Sequence, residues 1–277
     1  MKHGFWLSLA AIASALSVAS WASPSRADDL LAQVKSRGEL VVGTEMQFAP
    51  FDFLDNGSQI GVNADLFQEI GKELGVKVTF VDLPWDGVLP GLEANKFDVV
   101  AGPVTITKER MARYRFTLPI ADATVALLKR AGDDSVMKPE DIAGKAVGGG
   151  KSSAQLDQLK QFAEGVPGKA DVREYVDNNQ AYADLAAGRI VAVANSLPNI
   201  SYVAAQRPET FEVVMPPFGN KVYFGYVGRL DDDSKLLMNA IDDAMRKIKA
   251  DGRMEQIQKK WFGLKMDLPD LVPEPGI

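Results

Sequence analysis

The 277-residue chain contains no cysteine and a single histidine, His3. The absence of thiols excludes a disulfide framework, thiolate metal sites, thiol redox chemistry and lipid attachment through a processed cysteine. His3 falls in a segment that reads as a secretory signal. Lys2 and His3 give a basic start, Phe5 to Ala19 an apolar run, and Ser25-Arg26-Ala27 places small residues where signal peptidase reads them. The run is too short for a membrane span of about 20 residues. The mature chain is therefore expected to begin near Asp28, with a cut at Ala22 as the alternative, and to lack His altogether. That excludes Ser-His-Asp and Cys-His catalysis and histidine zinc sites. Carboxylate, lysine or tyrosine chemistry remains, or binding without chemistry.

A basic surface is missing too. Without residues 1–27 the chain keeps 29 basic and 37 acidic side chains, a net charge of −8, whereas nucleic acid and anionic membranes need a basic face. The composition, 46% apolar and 25% charged, is that of a globular protein with one large or two medium domains.

Strand and helix patterns alternate along the chain. Leu40 to Gly43 is a short apolar strand. Val62, Leu66, Ile70 and Leu74 mark one helical face, and Val76, Val78 and Phe80 alternate as in a strand. A helix from Trp85 to Asn95 and a buried strand from Phe97 to Ala101 follow. The order β-α-β-α-β predicts a mostly parallel sheet covered on both faces. The segment from Leu92 to Gly102 is echoed in register by Leu185 to Asn195: a helix end, a residue tolerant of left-handed geometry (Asn95, Gly188), a basic residue and a buried strand. Two α/β lobes of like construction would explain the echo, although such junctions look alike in many α/β proteins. Ala123 to Arg130 could carry the chain out of the first lobe. Phe211 to Met215 and Val222 to Val227 could bring it back, making a hinge with two crossings.

Ligands in open α/β sheets sit beyond the carboxyl ends of strands, which points to Gly102 to Thr105 and to Asn195-Ser196. Thr107 can cap a helix that brings Arg110 beside Thr105, and a fork of donors at a helix start suits a carboxylate. The other reading is a surface arginine on an ordinary first turn. Val147-Gly148-Gly149-Gly150-Lys151-Ser152-Ser153 nearly matches a phosphate-cradling loop, but Gly144 stands one residue too far away, and a secreted protein meets no ATP. The Ser152 and Ser153 hydroxyls and the helix start would still hold a small anion. Phe48 and Trp85 each follow a strand, so they either hold the body of a ligand or belong to the core. Glu45 beside Phe48 is either a partner for a ligand amine or an exposed loop acid. The acidic runs Asp133-Asp134 and Asp231-Asp232-Asp233 match no calcium loop and read as helix-start charges. Trp261 reads as a packing anchor.

Together these segments resemble the periplasmic solute-binding proteins of polar amino-acid ABC transporters, family 3, which share a two-lobe fold with glutamate-receptor ligand cores. The resemblance covers nearly the whole mature chain. It rests on Gly38-Glu39-Leu40, Ala49-Pro50-Phe51, Gly61-Val62-Asn63-Ala64-Asp65-Leu66, Thr105-Ile106-Thr107-Lys108-Glu109-Arg110, Gly144-Lys145-Ala146-Val147-Gly148, Leu185-Ala186-Ala187-Gly188-Arg189 and Lys260-Trp261-Phe262-Gly263.

The resemblance implies a carboxylate clamp at Arg110 and Thr105, lobe-two donors at Ser152 and Ser153, and a carbonyl at Gly102 for the ligand's ammonium. It also implies a side-chain sandwich between Phe48 and Trp85, with Glu45 as a polar contact beside it. Two positions depart from the pattern. Ser196 stands where the family usually has an aspartate for the ammonium, which leaves Glu45 or Asp177 for that role. Asn63-Ala64 replaces an acid-containing pair and reads as structural variation.

The expected fold is thus α/β, a type II two-lobe periplasmic binding protein, each lobe a mostly parallel sheet flanked by helices. Lobe one spans 28–122 and 219–277, and lobe two 123–218. The expected protein is an unanchored periplasmic monomer that needs no cofactor or metal. It would bind an amino acid or related carboxylate and deliver it to an inner-membrane permease. The alternatives are a cyclohexadienyl (arogenate or prephenate) dehydratase on the same fold, or a ligand sensor for a receptor ectodomain.

Overall fold

The computed structural model describes Met1 and residues 29–277, so the signal segment lies outside the described residues. Two principal sheets are built to one plan. In the first, the strand order is Lys77–Asp82, Glu39–Thr44, Val99–Thr105, Tyr223–Arg229 and Tyr114–Phe116, with Ala121–Asp122 also paired to Tyr223–Arg229. In the second it is Asp171–Tyr175, Ala146–Gly150, Ala192–Ser196, Val125–Arg130 and Phe211–Val214. The first three strands of each run parallel and the rest antiparallel. The expectation of mostly parallel sheets therefore holds only for the three-strand heart of each lobe.

The reason lies in the crossings. Val125 pairs with Ser196, and Phe224 with Thr105, so both crossing strands start at the carboxyl ends of the parallel strands. A chain that enters a lobe from the cleft side has to run away from it, against its neighbours. The two crossings lie side by side, with the Ala123 N–H donating to the Val222 carbonyl at 2.8 Å.

Each sheet buries both faces, which is why its strands read as nearly continuous apolar runs. Leu40, Val42, Val99 and Ala101 face one cluster with the helices Val62–Leu74 and Asp232–Ala250, while Val100 and Val104 face the helix Trp85–Glu93. In the second lobe Leu127, Ala192 and Ala194 meet the helix Ala154–Gly165, and Leu128 and Val193 meet Asn178–Ala186 and Leu197–Gln206. The echoed junctions close with left-handed Asn95 (φ 55°) and Gly188 (φ 74°), and the strands after them hold the same third place in their sheets.

Asn63 is the hub of a buried network. Its Nδ2 donates to Asp52 Oδ2 (2.6 Å) and the Ala101 carbonyl (2.7 Å), and its Oδ1 accepts from the Tyr226 hydroxyl (2.8 Å). A neutral amide can both donate and accept here, which a carboxylate cannot. Trp261 packs edge-on to Phe53 and donates to Asp65 Oδ2 at 2.7 Å. Asp231 caps the helix Asp232–Ala250, as its acidic run implied. Asp133 does not start an α-helix: it accepts from the Ser135 N–H and pairs with Arg130, closing a turn.

Candidate functional site

A small cavity lies between the lobes at the strand ends, where ligands of open α/β sheets sit. Lobe one contributes Glu45, Phe48, Trp85 and Thr105, and lobe two contributes Ser153. The structure thus brings five of the expected residues to one space. Phe48 is buried and stacks on Phe51 at 5.6 Å and 22°, with Phe224 edge-on at 6.1 Å. A Cβ on Gly102 would already touch the Trp85 ring at 3.5 Å, so the strand backbone backs the indole.

Arg110 and Ser152 lie in the adjoining crevice rather than in the cavity. Thr107 caps the short helix Lys108–Met111 as expected, accepting from the Arg110 N–H. The guanidinium reaches across the lobes: Nη1 donates to the Thr105 carbonyl and Nη2 to the Ser152 carbonyl, each at 3.3 Å, with Cζ 5.6 Å from the Trp85 ring centre. Trp85 Nε1 donates to the same Ser152 carbonyl at 3.2 Å. Ser152 is left-handed (φ 60°), a costly conformation for a residue with a side chain, and it occupies the contact where the lobes meet. Arg110 makes no ion pair among the described residues, and burial pulls its pKa below the usual arginine value. A desolvated guanidinium held only by carbonyls lacks the anion that would satisfy it best.

Glu45 presents the opposite case. It is 5% exposed, lines the cavity and takes no hydrogen bond or ion pair among the described residues. Burial, then the negative charges of Asp177, Asp82, Asp52 and Asp86, push its pKa up to about 8. The reading of Glu45 as an exposed loop acid is therefore overturned. Asp177 is half-buried, does not line the cavity, and caps the helix Asn178–Ala186 through the Asn179 N–H.

In lobe two the glycine run does not form a phosphate cradle. A Cβ on Gly148 would meet the Tyr175 ring at 2.7 Å and one on Gly149 would meet Leu156 at 3.1 Å, so these glycines let the helix and Tyr175 pack closely. The Ser153 hydroxyl is engaged as a helix cap: it accepts from the Leu156 N–H (3.0 Å) and donates to the Gly150 carbonyl (2.7 Å).

Ser196 does not reach the cavity. It is fully buried and its hydroxyl has no partner, whereas the side chain of Asn195 lines the space. Strand parity explains the exchange, because Asn195 shares the face of Val193 and Ser196 that of Ala194.

Gln155, Asn178 and Phe224 also line the cavity and were not singled out from the sequence. Gln155 is visible in hindsight as the second residue of a helix that starts at the cleft. Its Nε2 donates across the lobes to Thr105 Oγ1 at 3.1 Å. Lys151 and Asp86 add a half-exposed interlobe ion pair at 3.1 Å.

The model for bacterial extracellular solute-binding proteins, family 3, matches residues 40–264. The chain is 32% identical over 255 residues to the L-cystine-binding protein TcyJ of Escherichia coli (strain K12), covering 91% of this chain and 92% of that protein. An ancestral arginine-binding protein bound to arginine aligns with a TM-score of 0.76 at 34% identity, covering 82% of this chain and 99% of that one. An ancestral amino acid-binding protein, a precursor of cyclohexadienyl dehydratase, aligns at 0.75 and 31%, covering 84% and 99%.

Proposed function

This chain belongs to the bacterial extracellular solute-binding proteins, family 3, and on that premise we propose that it captures an amino acid between its lobes and hands it to an ABC importer. The observation that carries the reading is a guanidinium, Arg110, beside Trp85 and a buried carboxyl group, Glu45, lining the cavity, both shifted by burial from their usual pKa and neither with an ion-pair partner among the described residues. A zwitterion satisfies both. Its carboxylate takes the Arg110 fork in place of the Ser152 carbonyl, and its cationic end faces Glu45 and the acids around it. The apolar stem lies between Phe48 and Trp85.

Glu45 then stands in for the aspartate missing at Ser196, and the acids around it favour amino acids with extra positive charge, such as arginine, or with a second ammonium, such as cystine. Relatives named for cystine and arginine support this class. Lobe one (28–122 and 219–277) docks the ligand and lobe two (123–218) closes over it. The permease reads the closed form, because only that form presents both lobes in fixed relation. Removal of residues 1–27 places the mature protein in the periplasm.

A thermal-shift screen of amino acids, opines and small amines tests the reading. A ligand at 100 times its dissociation constant stabilises the fold by about 2.7 kcal/mol. Cationic amino acids and cystine should raise the melting temperature and decarboxylated amines should not. One observation favours turnover as a second reading: with a pKa of about 8, Glu45 is a protonated acid inside the cavity at neutral pH. Incubation with arogenate or prephenate decides it, and no product is expected.

A further inference from the structure

A chain of buried polar groups runs from the cavity wall to a contact between the lobes. Asn195 Nδ2 donates to Asn178 Oδ1 at 3.3 Å and to the Tyr182 hydroxyl at 3.1 Å, and both amides line the cavity. The Tyr182 hydroxyl donates to Asn199 Oδ1 at 2.5 Å, and Asn199 Nδ2 donates across the cleft to the carbonyl of Ala49, next to Phe48. Asn178, Asn195, Tyr182 and Asn199 are all at least nine-tenths buried. The Ser196 N–H donates to Asn195 Oδ1 at 2.8 Å, which fixes that amide so that both its N–H groups point into the chain. Every donor from Asn195 through Tyr182 to Asn199 therefore points the same way, and hydrogen bonds aligned head to tail strengthen one another.

We propose that Asn199 is a positioning residue that latches the lobes together, with Tyr182 as the post that carries the state of the ligand-facing amides Asn178 and Asn195 to it. The inference rests on the ligand being held in the interlobe cavity. Its last link spans the two lobes, so it forms only as they close, while the rest of the chain sits within lobe two and is ready beforehand. Lobe separation exposes the Asn199 amide and the Ala49 carbonyl to water. A ligand that seats against Asn178 and Asn195 holds the inner end rigid and lengthens the life of the closed state. The latch acts on release and leaves encounter, which takes place on lobe one, unchanged.

The test uses the mature full-length protein, whose lack of cysteine permits labelling at Ser58→Cys and Glu164→Cys, one exposed site in each lobe. Single-molecule energy transfer reads closure, and stopped-flow with L-arginine reads the rates. Asn199→Ala is expected to raise the dissociation rate about tenfold with the association rate within twofold. Tyr182→Phe should do the same and add nothing in the Asn199→Ala background, because the two act as one unit. Asn199→Asp keeps an acceptor for Tyr182 and sets a carboxylate against the Ala49 carbonyl. It should lower the closed fraction even without ligand, a readout that survives if L-arginine proves not to bind and that separates failure of the latch from failure of the ligand assignment. Unchanged dissociation, additive effects of the two variants, or an unaltered closed fraction in Asn199→Asp would each overturn the proposal.

Discussion

Lobe one faces the cavity with a carboxyl group, three aromatic rings (Phe48, Trp85 and Phe224) and, behind them, a guanidinium, whereas lobe two faces it mainly with carboxamides, a capped helix start and backbone, and its one charged lining residue, Lys151, is paired with Asp86. The ionisable groups of the first wall, Glu45 and Arg110, are shifted by burial and have no ion-pair partner among the described residues, while the polar groups of the second are largely paired with one another. A wall of unpaired ionisable groups gains most from a ligand, and a wall of satisfied amides gains little but closes without penalty. The contrast assigns affinity to lobe one and closure to lobe two, and the variants below test it from the strongest expected effect to the weakest.

Arg110→Ala should weaken binding by about 2–5 kcal/mol, because it strands a buried ligand carboxylate. Calorimetry measures the loss, which has to exceed that of any lobe-two variant. Trp85→Ala removes one face of the sandwich and the ring beside Arg110, and should weaken binding by about 1–3 kcal/mol. Fluorescence titration on the remaining tryptophans checks it.

Glu45→Gln sharpens the comparison through pH. The wild-type carboxyl has to release its proton to receive a cation, so affinity for L-arginine should rise by up to tenfold per pH unit from about 6 and level off near 8, the raised pKa of Glu45. The Gln variant should show a flat profile. Ligand-free stability moves the other way. Folded Glu45 keeps a proton that the unfolded chain releases near 4.5, so its contribution is complete below that pH and is lost as pH rises through about 8. Melting temperatures between pH 5 and 8 should fall less steeply in Glu45→Gln. At the small end, Gln155→Ala removes one neutral interlobe hydrogen bond and should weaken binding by about 0.5–1.5 kcal/mol.

The sequence made the lobe plan legible because the same physical junction occurs twice, a left-handed helix stop followed by a strand buried on both faces. Arg110 was readable because its distance from a capping threonine follows from helix geometry. Other features were not readable. Burial on both faces hides parity, so nothing in the apolar run ending at Ser196 shows that Asn195 takes the cavity side. The raised pKa of Glu45 depends in part on the charge of residues far away in sequence, Asp177 in the other lobe among them, which no local pattern records. The antiparallel strands follow from where the chain crosses the cleft, which local pattern does not record.

Calorimetric titration of L-arginine and L-cystine into the wild-type protein and Arg110→Ala at one pH tests the central claim most directly. The account predicts clear binding of at least one of the two by the wild type and an affinity at least about thirtyfold weaker in the variant, the lower end of the range given above. Equal affinities would show that the interlobe guanidinium does not hold the ligand's carboxylate, and would contradict the site described here.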